Sequence, residues 1–156
     1  MIRVLSWLPG VYPSSINGLP LPNSYITLER MGRWRPRDLE ILETVFGEES
    51  TNPCFYERDY IGTEKKNLCE RISDDEYFVG KPDKNYSPGN VNPKEIIFIG
   101  DLGIDRPIAL DYRINFYEPR VVYLRSTSDG SRWIEVAESF AGLARRLKLT
   151  KSTTAG

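Results

Sequence analysis

Residues 96–112, IIFIGDLGIDRPIALDY, carry the reading on which the fold turns. Ile96, Ile97, Phe98 and Ile99 form an apolar run rich in β-branched side chains, the pattern of a strand buried on both faces. Gly100 breaks that run. Asp101, Gly103 and Asp105 follow in a polar loop, where glycine tolerates backbone angles closed to other residues and aspartate hydrogen-bonds its own turn. After Pro107 the apolar Ile108, Leu110 and Tyr112 alternate with Ala109, Asp111 and Arg113, so the chain returns as a strand with one apolar face. The stretch is a strand–loop–strand unit.

Downstream, residues 120–125 (RVVYLR) and 133–137 (WIEVA) read as two more strands. The Asp129-Gly130 pair between them marks a turn joining antiparallel neighbours. Ser139 then caps a helix in which Phe140, Leu143, Ala144 and Leu147 fall at i, i+3, i+4 and i+7, with Arg145, Arg146 and Lys148 at the end where the dipole favours cations. Residues 151–156 are a small polar tail, expected to fray.

Upstream, residues 1–22 are rich in proline and glycine and read as irregular or extended chain, pinned by Trp7, Leu8 and Tyr12. Asn23 or Ser24 is the expected cap of a helix carrying Tyr25, Leu28 and Met31 and stopping at Gly32. A second helix starts near Pro36, carries Leu39, Leu42 and Phe46 with Ile41 and Val45 as a broad apolar stripe, and closes at Gly47. Between residues 48 and 95 turn signals dominate. Residues 54–60 and 77–79 are candidate strands, and residues 63–72 a candidate helix carrying Leu68 and Ile72 inward. Consecutive strands followed by a helix indicate an α+β fold, a mainly antiparallel sheet with helices packed on one face. Residues 1–150 are expected to form a single domain.

The chain has 156 residues, enough for one domain that buries roughly 70% of its unfolded surface. Its composition, 40% hydrophobic and 28% charged, is that of an ordinary globular protein, and its net charge of −1 argues against general binding to nucleic acid. Two cysteines, Cys54 and Cys69, are too few for a disulfide framework and lack zinc-site spacing, so they read as thiols of a reducing compartment. No apolar run reaches the roughly 20 residues that cross a bilayer, and Pro9, Gly10 and Pro13 interrupt the apolar start before a secretory core can form. The cytoplasm is the expected location. Histidine is absent, which removes Ser-His-Asp and Cys-His nucleophile systems and histidine metal ligands.

A family resemblance rests on motifs taken in order. Leu21-Pro22-Asn23-Ser24-Tyr25 opens a helix ending at Gly32; Phe98-Ile99-Gly100-Asp101 and Leu110-Asp111 flank the glycine loop; a strand covers residues 119–123; and Ala137-Glu138-Ser139-Phe140 leads into Leu143 and Leu147. Each is common alone, but their order over residues 21–149 resembles the SUKH superfamily, which includes bacterial immunity proteins and yeast regulators of cell-wall glucan synthesis. The resemblance implies a binding protein without catalytic residues, metal or cofactor. Its implied partner is a cognate toxin.

Charge is unevenly spread, at +3 over residues 1–35, −6 over residues 36–95 and +2 thereafter. Glu40, Glu43, Asp74, Asp75 and Glu76, with Asp101 and Asp105 of the glycine loop, are therefore the candidate partner-binding residues. Such a patch would steer a basic partner, for example a nuclease toxin whose active site is built for phosphate. Solvated helix faces and loops explain the same charges. Two other readings stay open. Asp101, Asp105 and Asp111 are candidate oxygen ligands for a hard cation in a metal-dependent hydrolase, although turn-forming aspartates account for them equally. Phe55, Tyr56, Tyr60, Tyr77, Phe78 and Tyr86 suit a regulatory or scaffolding module with an aromatic contact surface, or simply a core.

Overall fold

The computed structural model describes residues 14–67 and 75–150. In chain order the elements are β1 (Ser15–Ile16), β2 (Leu19–Pro20), α1 (Asn23–Arg30), α2 (Leu39–Phe46), β3 (Cys54–Phe55), α3 (Arg58–Asn67), α4 (Glu76–Val79), β4 (Pro88–Gly89), a 3-10 turn over Pro93–Glu95, β5 (Ile96–Asp101), β6 (Pro107–Asp111), β7 (Arg120–Thr127), β8 (Gly130–Ala137) and α5 (Phe140–Arg146). β1 and β2 make a small hairpin; the other strands form one six-stranded sheet in the order β3-β5-β6-β7-β8-β4, every neighbouring pair antiparallel. The fold is α+β. The expectations for Trp7, Leu8, Tyr12, Leu68, Cys69, Ile72, Asp74 and the tail fall outside the described residues.

β5 is buried along its apolar run as its sequence requires. β6 departs from expectation, because Ala109 and Asp111 on the face read as polar are buried too. Asp111 tolerates this because two guanidinium groups meet it. Arg120 Nη2 lies 2.8 Å and Arg113 Nη2 3.0 Å from Asp111 Oδ2, and Arg113 reaches on to the Asn90 carbonyl at 2.6 Å. A buried carboxylate needs such pairing, since desolvation alone would cost it several kcal/mol.

Register assigns the two faces. A bulge at Ile99 brings Gly100 into line with Ile108, Tyr123 and Ile134, while Phe98, Ala109 and Val122 share the other face. α1, α2 and α5 cover the first face. Phe46 packs edge-on against Tyr123 at 5.3 Å, and Phe140 meets Tyr25 at 5.4 Å and Trp34 at 4.9 Å. On the second face the rings of Phe98 and Trp133 lie 6.0 Å apart, and the chain around α4 crosses above them, its Phe78 carbonyl accepting from Trp133 Nε1 at 2.8 Å.

Local chemistry sets the element ends. Asp38 caps α2 by accepting from Glu40 N and Ile41 N, and Ser139 caps α5 through Gly142 N. α1 has no side-chain cap, since the preceding residue is Pro22 and both expected caps lie inside the helix. Residues 77–79 are helical rather than extended because the Asp75 side chain accepts from Tyr77 N and starts α4. The candidate strand over residues 54–60 shrinks to β3, for α3 begins at Arg58, earlier than expected. α3 packs along β5, where Lys65 Nζ donates to the carbonyls of Pro93 at 2.6 Å and Ile96 at 2.8 Å.

Candidate functional site

The glycine loop, β3, α3 and α4 converge on the second face around a groove of about 750 Å³. Its floor is Phe98, and Phe78 of α4 forms an apolar wall. Opposite stand Cys54 and Tyr56 at the end of β3 and Glu64 on α3, and the rim is the loop from Asp101 to Pro107. An apolar floor with few polar groups at the edge is the usual make-up of a binding site.

The loop is held from both sides. Asp101 Oδ1 accepts from Gly103 N at 3.1 Å, and Asp101 Oδ2 accepts from the Tyr56 hydroxyl at 2.6 Å. Tyr77 of α4 donates its hydroxyl to the Asp105 carbonyl at 2.7 Å, with Asp105 itself in the left-handed region at φ 59°. Arg106 faces the groove, but its guanidinium is committed to the carbonyls of Glu49 (2.7 Å) and Leu102 (2.8 Å) and to Glu48 (3.6 Å). Both loop glycines are required, for different reasons. Gly103 has φ +146°, whereas Gly100 has an ordinary φ but no room, since a Cβ there would sit 2.8 Å from the Cys54 carbonyl.

The field in the groove is negative. Burial, then the hydrogen bond and charge of Asp101, push the Tyr56 phenol far above its ordinary value. Burial and Glu64 raise Tyr60, and burial and Asp101 raise the Cys54 thiol. All three groups are thereby held neutral near pH 7. Burial disfavours a charge of either sign, whereas the charges of Asp101 and Glu64 favour an ammonium or guanidinium group beside them.

Of the candidate binding residues, Asp101 and Asp105 line this groove. Asp75 and Glu76, both exposed, start α4 just before Tyr77 and so lie on the groove's side of the sheet. Glu40 and Glu43 are exposed on α2, on the opposite face, and Asp74 lies outside the described residues. The acidic middle of the sequence is thus split between two faces. Asp111 is at the far end of the β5–β6 hairpin, because Asp101 pairs with Pro107 and Asp111 with Ile96. Among the described residues no group of three or more His, Cys, Asp or Glu is placed to hold a metal ion. Of the aromatics, Phe55 and Tyr56 are buried, Tyr77 and Phe78 half-buried, Tyr60 and Tyr86 exposed.

Sequence reasoning passed over Glu64, Cys54 and the role of Tyr56. The signal was present in Tyr56, Tyr60 and Glu64 at i, i+4 and i+8, a helical spacing that places Tyr60 and Glu64 on one side of α3.

No match to the chain was found among curated proteins or among solved structures. A family model, that of the SMI1 / KNR4 family (SUKH-1), matches residues 15–146, from β1 to the last residue of α5. With that match spanning the glycine loop, the sheet and the helices on its first face, the chain belongs to the SMI1 / KNR4 (SUKH-1) family.

Proposed function

We propose that this domain is a non-catalytic binding protein whose groove receives a basic side chain or segment of a protein partner, and that it acts as an immunity protein neutralising a cognate toxin. The observation that carries the reading is the groove itself, an apolar floor under Asp101, Asp105 and Glu64 with its one guanidinium, Arg106, already occupied by loop carbonyls. A toxin domain built to hold phosphate offers the complementary charge. Family membership supports a binding role, and the absence of histidine leaves few routes to acid–base chemistry near pH 7.

The test is capture of the toxin encoded beside this gene, followed by association rates at low and high salt. Asp101→Asn with Asp105→Asn and Glu64→Gln is expected to slow association and flatten its salt dependence, because steering acts on encounter and fades as the screening length falls from about 10 Å to about 3 Å between 0.1 M and 1 M. Unchanged rates would place the interface elsewhere. A second reading, a regulatory or scaffolding contact, is favoured by the β6–β7 connection, where Ile114 and Tyr117 are 73% and 74% exposed beside Phe116. Ile114→Ser with Tyr117→Ser would abolish partner capture in that case and leave it intact in the first.

A further inference from the structure

The connection from α1 to α2 reads Glu29-Arg30-Met31-Gly32-Arg33-Trp34-Arg35-Pro36-Arg37-Asp38, with arginine at every second position from 33 to 37. Trp34 anchors it. Its side chain is 4% exposed, its Nε1 donates to the Ile99 carbonyl at 3.2 Å, and its ring stacks on Phe55 at 4.1 Å. Trp34 is the centre of a tight turn in which Arg35 N donates to the Arg33 carbonyl at 2.9 Å, and with its ring inward Arg33 is half-buried while Arg35 and Arg37 are exposed. These three arginines and Gly32 line a cavity of about 430 Å³.

Among the described residues Arg33, Arg35 and Arg37 make no ion pair with a carboxylate. The acids flanking them are engaged, Glu29 by Arg58 at 3.0 Å and the Asp38 carboxylate by the backbone N–H groups of α2. Like charges held together on a fixed backbone repel one another, and an anion relieves that repulsion. Guanidinium groups suit phosphate in particular, because their planar fork donates two parallel hydrogen bonds to its oxygens.

We propose that this loop is a binding site for a compact anion bearing several phosphate groups, gripped by Arg33, Arg35 and Arg37. A long nucleic acid fits less well, since the basic stretch is short and runs straight into the exposed Glu40 and Glu43 of α2, on a chain of net charge −1. A cavity of this volume accommodates a small oligophosphate. Trp34 packs on Phe55 and Phe140, so the site lies on the face of the sheet opposite the acidic groove.

The test uses tripolyphosphate with the full chain at low salt, read by calorimetric titration and by melting temperature. Binding to the native state raises the melting temperature. Arg33→Gln, Arg35→Gln and Arg37→Gln are each expected to weaken binding about tenfold, and the triple variant to abolish it. A control removing equal charge elsewhere, Lys81→Gln with Lys84→Gln and Lys94→Gln, all at exposed positions, is expected to bind like the parent. No binding by the parent, or equal loss in loop and control variants, overturns the proposal. So does tighter binding of a DNA duplex than of tripolyphosphate.

Discussion

The β5–β6 hairpin carries an aspartate at each end, in opposite circumstances. Asp111 is fully buried and held by Arg113 and Arg120, which in turn tie down Asn90 and approach Glu135. Asp101, at the other end, is part-exposed, with one phenol and one backbone N–H as partners and the groove in front of it. The same residue type therefore yields a structural charge where cations surround it and an available charge where neutral donors do. The difference lies in what the neighbouring strands and loops bring, and neither aspartate announces it alone.

The largest expected effect is at the buried end. Asp111→Ala removes the buried carboxylate between Arg113 and Arg120, leaving them only Asn90 and the distant Glu135, and the loss should be about 3–5 kcal/mol in urea unfolding. A loss under about 1 kcal/mol would mean that the arginines turn to water without penalty and that the two ends are less different than the geometry implies.

At the open end the backbone matters more than the charge. Gly100→Ala drives a Cβ against the Cys54 carbonyl, so β3 must shift, at about 1–3 kcal/mol. Faster alkylation of Cys54 would report that shift. Unchanged stability and unchanged labelling would show that β3 yields freely and that the groove wall is soft.

The smallest effect sharpens the comparison. Tyr56→Phe removes the hydrogen bond to Asp101, which water can replace on a part-exposed carboxylate, so about 1 kcal/mol is expected. Its pH signature is more informative. The Tyr56 phenol has a folded pKa raised above the ordinary 10.0, so its contribution is fully present below pH 10 and is lost as alkaline pH ionises the unfolded chain. Tyr25 and Tyr112, raised mainly by burial, behave alike. Urea midpoints on either side of that pH should fall with rising pH in the parent and fall less in Tyr56→Phe. An identical fall would mean that Tyr56 is not buried in its neutral form.

Much of the fold was legible where one local signal agreed with one burial pattern. The run Ile96–Ile99 became β5, Ser139 capped α5, and Phe140, Leu143, Ala144 and Leu147 are all buried. The Asn17-Gly18 turn of the β1–β2 hairpin, with φ 50° and 82°, carries a common hairpin signal that the reading of residues 1–22 as irregular or extended chain missed. What could not be read depended on contacts distant in sequence. Asp111 looked solvent-facing by alternation, because the arginines that permit its burial act through the folded sheet. Tyr77 and Phe78 looked extended by composition, because the Asp75 cap and the Trp133 contact that hold α4 are not composition. The candidate site was half legible for the same reason: the glycine loop supplied Asp101 and Asp105, but Glu64, Tyr56 and Phe78 reach the groove only through β3, α3 and α4.

The way the sheet ends also constrains how this protein can assemble. Both outermost strands, β3 and β4, are two residues long, and beyond β3 the lysine of α3 occupies the carbonyl of Ile96. An intruding strand would find almost no free ladder on which to template, so edge-to-edge aggregation and recognition by strand addition are both discouraged. Side chains on the sheet faces and in the connecting loops are thus better placed for contact than main-chain pairing at the margins of the sheet.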